Sequence, residues 1–205
     1  MCSERDGERR LGSLVDLHLP DPPSDRSYHQ GHTWVRLEGE GTARIGIDAF
    51  AAAIVGCVRG VVAPHAGTLL RRGRPCAWID ATGGTLTLWA PLSGHLLELN
   101  PALESCPEET TLNPYDRGWI LRIAPTELAA DRKHLEDASA CVHCAHRDQE
   151  VWMQRVLREV HRTDPKIGPV LQDGGEIVQS LDALLRPALR HALAVPFLDR
   201  GRTAR

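Results

Sequence analysis

"WIDATGGTLTLWAPLSG", Trp78 to Gly94, reads as two runs of alternating apolar and polar residues joined by a glycine pair. Alternation at a period of two marks half-buried β-strands, and Gly-Gly between two such runs marks a hairpin turn. Glycine suits the turn because the tightest hairpins need positive φ at both central positions, which predicts that of Gly83 and Gly84. Beyond the hairpin, Pro91 removes a backbone donor and stops the ladder, and Gly94 opens the next strand. The stretch is a projecting arm whose tip bears no side chain.

The surrounding text, from Tyr28 to about Leu128, has the same grain. "TWVRLEG" and "TARIGID" alternate as paired strands with "EGEG" turning between them, and "AFAAAIVG" is a short helix ended by Gly56. "CVRGVVAP", "GTLLRRG", "CAWIDA", "TLTLWAP" and "GHLLELN" follow as short strands. "APHAGTLL" from Ala63 and "APLSGHLL" from Ala90 share the pattern A-P-x-x-G-x-L-L. Two similar strand-turn-strand units facing each other would make a small flattened barrel or sandwich with the glycine hairpin between them. Residues 1–27 are an extension and linker, and residues 129–205 turn helical. Val151, Trp152, Val156, Leu157 and Val160 form one helical stripe, while Ile177, Leu181, Leu184, Leu185 and Leu189 form another that Pro187 kinks or divides. The fold class is mainly β with an α-helical C-terminal part.

Composition narrows the function. The chain has 205 residues, 24 Lys and Arg against 27 Asp and Glu, and a net charge of -3. No run of like charge points to a nucleic acid, and no apolar run approaches the roughly 20 residues of a membrane span. The charged N-terminus lacks a signal-peptide core, so the expected address is cytoplasmic. Six cysteines over this length argue for free thiols or a metal rather than a disulfide framework. Only two lysines occur, Lys133 and Lys166.

The segment Tyr28–Leu128 resembles the H protein of the glycine cleavage system, a lipoyl-domain carrier. The residues that carry the likeness are His32-x-Trp34-Val35-Arg36, Gly46-Ile47-Asp48 with Phe50-Ala51, Pro64-x-x-Gly67, Gly73-x-Pro75 and Pro91-x-Ser93-Gly94. Glu98-x-Asn100, Leu103-Glu104, Asn113-Pro114-Tyr115 and Gly118-Trp119 continue it. The resemblance implies a barrel-sandwich hybrid followed here by a helical tail. It also implies a lysine at the hairpin tip, to whose amine lipoate is attached. Carried over without gaps, that motif falls on Asp80-Ala81-Thr82-Gly83-Gly84. The acidic residue survives as Asp80, and the lysine position is Gly83. Glycine offers no nucleophile, so no lipoate is expected there, and the only lysines lie outside this segment.

A second constellation is "CVHCAH", with Cys141, His143, Cys144 and His146. Cys-x-x-Cys can supply two ligands, and thiolate with imidazole suits zinc or iron. His146, with His134 or His161 from neighbouring turns, would complete four. The alternative is that Cys141 and Cys144 are small buried apolar residues at i, i+3 of a helix, with solvated histidines. Nothing resembles a catalytic triad or a phosphate-cradling loop, so the chain does not read as an enzyme. The expected roles are a non-lipoylated docking or scaffold protein whose partner recognises the H-like surface, or a metal or thiol-redox accessory protein acting through Cys141 and Cys144. Participation in glycine cleavage is the third.

Overall fold

The computed structural model describes residue 17, residues 19–163 and residues 185–202. Most of the N-terminal linker, and the connector that includes Ile177, Leu181 and Leu184, lie outside the described residues. Nine strands form two antiparallel sheets. The strands are β1 (Ser27–His29), β2 (Thr33–Leu37), β3 (Ala43–Ile47), β4 (Val58–Val62), β5 (Leu69–Leu70), β6 (Pro75–Ala81), β7 (Gly84–Trp89), β8 (Gly94–Leu99) and β9 (Leu121–Pro125). The larger sheet runs β1-β2-β3-β9-β8-β5, and the smaller runs β4-β6-β7.

The first hairpin forms as its alternation predicts, with Thr33 opposite Ile47 and Leu37 opposite Ala43. Asp48 then caps helix α1 (Ala49–Val55), its carboxylate accepting from Ala51 N, and Gly56 ends the helix at φ 86°. The repeated A-P-x-x-G-x-L-L units meet each other. Leu69 pairs with His95 in the β5–β8 ladder, and Leu96 N donates to Thr68 O at 2.9 Å. Shifting each of those residues by the 27-residue repeat exchanges the two contacts, so a local two-fold relates the units.

Short helices α2 (Ala102–Ser105), α3 (Glu109–Leu112) and α4 (Leu128–Asp131) line the path to the long helix α5 (Ala138–Thr163). Asp137 starts α5 by accepting from Ala140 N at 2.9 Å. The buried stripe of α5 is Trp152, Met153, Val156 and Val160. Leu157 is a correction to the expected stripe: at 37% exposure it lies at the solvent edge, while Met153 one turn earlier is buried. Pro187 divides the pattern rather than kinking it. It opens helix α6 (Pro187–Leu198) after an extended Arg186, a place that suits proline because the first-turn amides have no intrahelical acceptor. One core joins both sheets, α1, α5 and α6, with Ile45, Ile79, Leu86, Trp152 and Phe197 all essentially inaccessible.

Candidate functional site

The β6–β7 hairpin closes through Ala81 opposite Gly84, which leaves Thr82 and Gly83 as its two turn residues. Of the glycine pair only Gly84 has positive φ, at 145°; Gly83 is not among the positive-φ glycines. The expectation that both glycines answer a backbone demand is therefore corrected. What Gly83 answers is space. A Cβ placed there would sit 2.0 Å from Pro187 O and 2.8 Å from the His191 Cβ. The first turn of α6 lies on the hairpin tip, and the ring of His191 covers Gly84 at about 3.0 Å from its would-be Cβ.

Several groups hold α6 in place. The Arg190 guanidinium donates from Nε to Ile54 O at 3.0 Å and from Nη2 to Ala53 O at 2.7 Å. Those are terminal carbonyls of α1, otherwise left without intrahelical donors, so a cation there satisfies both hydrogen bonding and the helix dipole. Phe197 meets Phe50 edge-on at 5.3 Å and Trp152 at 6.1 Å between centroids. Phe197 and Leu198 are buried, worth together roughly 3–6 kcal/mol of transfer free energy. Trp89 Nε1 donates to Asp199 Oδ1 at 3.1 Å. The helix thus runs from the tip of the hairpin to the far end of β7.

A buried ionic chain secures the end of this segment. Arg200 Nη1 donates to Asp148 Oδ2 at 2.5 Å, and the same oxygen is 3.2 Å from His32 Nε2. His32 Nδ1 lies 2.8 Å from Asp48 Oδ2, while Asp48 Oδ1 caps α1. Burial opposes a charge on His32, but the Asp48 and Asp148 carboxylates outweigh it and push the imidazole up to about 9. Burial would likewise raise Asp148, and hydrogen bonds from His32 and Arg200 instead hold it down at about 2. His32 is thus an imidazolium between two carboxylates, held at φ 57°.

The other candidate residues are placed as follows. Asp80 pairs with Arg59 at 2.8 Å on the exposed flank of the hairpin, and Thr82 N donates to Cys57 O at 3.0 Å. Cys141 packs in a small cluster with Tyr28 and Trp34. Cys144 is half-buried, with Sγ 3.7 Å from Glu136 Oε2. Burial first, then neighbouring carboxylates, push both thiols up, the reverse of what a redox-active thiolate needs. Cys141 and Cys144 border a cavity of about 180 Å³ with His29 and His32, and Cys141 also borders a second one of about 220 Å³ that His146 lines with Phe50 and Tyr115. Among the described residues no group of three or more His, Cys, Asp or Glu side chains is arranged to hold a metal. Also among them, no helix is long and apolar enough to cross a membrane. Pro187, Arg190, His191 and Asp148 are the site residues that motif reading misses. Pro187 alone leaves a signal, as a helix-opening proline.

Two antiparallel sheets with a two-residue hairpin projecting between related strand-turn-strand units define a lipoyl-domain-like barrel-sandwich hybrid. The profile of the family described as "Glycine cleavage H-protein" matches residues 26–148. The chain is 39% identical over 117 residues to the glycine cleavage system H protein of Beutenbergia cavernae, covering 57% of this chain and 91% of that one. It is 35% identical over 116 residues to that of Nitrosospira multiformis, covering 57% and 89%. The crystal structure of a glycine cleavage system H protein from Mycobacterium marinum superposes with a TM-score of 0.52 at 31% identity, over 58% of this chain and 94% of that one. The chain belongs to the glycine cleavage H-protein family. Within the matched region its one lysine is Lys133, on the 3-10 turn Arg132–His134 and outside the hairpin.

Proposed function

We propose that this protein is a non-lipoylated member of its family that acts by docking a protein partner rather than by carrying a group. The observation that carries the reading is the conjunction at Gly83. The position lacks an amine, and the backbone of α6 lies where any side chain would emerge. An attachment enzyme needs a primary amine on a long stem at an exposed turn, and this tip supplies neither stem nor exposure. A lysine simply lost would leave an open hairpin. Here the replacement fits a helix anchored by Phe197, Arg190 and Arg200.

In this reading the H-like body, residues 28–128, presents the recognised surface, and helix α6 closes the arm position. No cofactor is attached, no acid, base and nucleophile set converges among the described residues, and the protein works in the cytoplasm on protein partners. Intact mass after co-expression with an active lipoate ligase tests it. The expected mass is that of the bare polypeptide. A lipoyl increment mapped to the β6–β7 hairpin would overturn the proposal. Complementation of a strain lacking its H protein is expected to fail, and growth on glycine breakdown would restore the carrier reading.

A further inference from the structure

The fold assembles a charge feature that the linear sequence hides. Residues Arg71–Arg74 form a turn, Arg74 N donating to Arg71 O at 3.0 Å, with Gly73 at φ 69°. Arg132 and Lys133 follow α4, some sixty residues later. Asp131, only 4% exposed, ties the two segments together. Its Oδ2 accepts from Ser93 N at 2.6 Å and its Oδ1 from Arg72 Nε at 3.1 Å, while Arg72 N donates to Ser93 Oγ at 3.2 Å. Both carboxylate oxygens are thereby committed internally.

Arg71, Arg74, Arg132 and Lys133 stand exposed around this buttress, without an ion-pair partner among the described residues. The contrast with other surface cations is plain. Arg36 and Arg44 share Glu38, Arg59 pairs with Asp80, and Arg122 pairs with Glu98. The local positive potential registers on buried His29. Burial first, and then Arg72 and His134, pull its imidazole down to about 4. The patch lies at the opposite end of β6 from Gly83, roughly 20 Å away at about 3.3 Å per residue.

We propose that the turn Arg71–Arg74 and the segment Arg132–Lys133 together form a docking site for an acidic patch on a folded protein partner. The proposal rests on the docking reading above and gives it a location and a chemistry. An acidic protein surface fits better than a nucleic acid or an anionic membrane. The cationic area spans only two turns, and the chain's net charge of -3 would repel an extended polyanion beyond them.

The test uses the full chain, with a fluorescent glutamate-rich peptide as probe, and anisotropy read at low and at physiological salt. The partner variant replaces Arg71, Arg74, Arg132 and Lys133 by Gln. Wild type should bind the peptide in a salt-sensitive manner, with amide shifts confined to residues 71–74 and 131–134, and the variant at least about tenfold more weakly. Equal binding by the variant, shifts mapping elsewhere, no binding by wild type at low salt, or tighter binding to oligo-dT or phosphatidylserine vesicles would each overturn it. The shift map on wild type decides the matter even if the variant is poorly folded. The intact mass of the same preparation reports lipoylation separately, so failure of the docking site and failure of the non-carrier reading are distinguishable.

Discussion

Strand β6 has a glycine turn at each end, and the two glycines are there for different reasons. At Gly73, φ is 69°, in a turn whose Arg71 and Arg74 are exposed, so the residue serves backbone conformation. At Gly83 the backbone makes no such demand, and the residue serves the close approach of Pro187. One end of the strand is open and cationic. The other is closed and without a side chain. A glycine in a hairpin motif therefore does not announce its cause; only what packs on it distinguishes a turn requirement from a vacated side-chain position.

The largest effect is expected from attacking the closure through its anchor. Phe197→Ala should cost about 3–5 kcal/mol, read as a fall in the denaturant midpoint, because the cavity would open between Phe50 and Trp152. Amide shifts of residues 71–74 should remain unchanged. If the variant loses less than about 1 kcal/mol, α6 is not part of the core.

The ionic chain beneath the closure should next impose a pH profile. His32 is raised from 6.5 to about 9, so its contribution is whole below pH 6.5 and is lost as pH rises through 9. Asp148 is lowered from 3.8 to about 2, so its contribution is whole above pH 3.8 and is lost as pH falls through 2. His29 is lowered from 6.5 to about 4 and is buried neutral, which removes stability as pH falls from 6.5 toward 4. Thermal stability should peak near pH 6.5. A His32→Gln variant should lose the alkaline limb of the profile and keep the His29 limb.

Alanine substitutions then separate the two turns. Gly83→Ala should cost about 1–3 kcal/mol through overpacking against Pro187. Gly73→Ala should cost at least about 1–2 kcal/mol from left-handed strain, with α6 contacts intact by nuclear Overhauser effects. Removing residues from Pro187 onward should abolish the Gly83 penalty and leave the Gly73 penalty, provided the shortened chain stays folded by circular dichroism. The smallest effect is reserved for the cationic turn. Replacing Arg71 or Arg74 by Gln should move stability by no more than about 0.5 kcal/mol, since neither side chain touches the core.

Much of the body was readable from residues alone. Period-two alternation, proline stops and the A-P-x-x-G-x-L-L repeat locate the strands, and Gly56 marks the end of α1. The closure was not readable, because it depends on packing between Gly83 and Pro187, over a hundred positions apart, and on Arg190 reaching the end of α1. Asp148 looks like one more charged residue on an amphipathic helix until His32 and Arg200 arrive beside it. The basic patch was hidden for the same reason, its two halves lying on either side of four strands and three short helices. The Cys-x-x-Cys spacing, by contrast, was conspicuous in the sequence, yet its thiols sit against aromatic rings and the Glu136 carboxylate, and among the described residues no group of three or more such side chains is arranged to hold a metal.

Hydrogen exchange resolved to single amides tests the closed tip most directly. If α6 seals the hairpin as part of the core, the amides of Leu193, Ala194, Val195, Phe197 and Leu198 exchange only with global unfolding, and those of Thr82 to Gly84 slow with them. Exchange of that helix at the rate of an unstructured peptide, with the hairpin tip equally fast, would show an open arm and contradict the account.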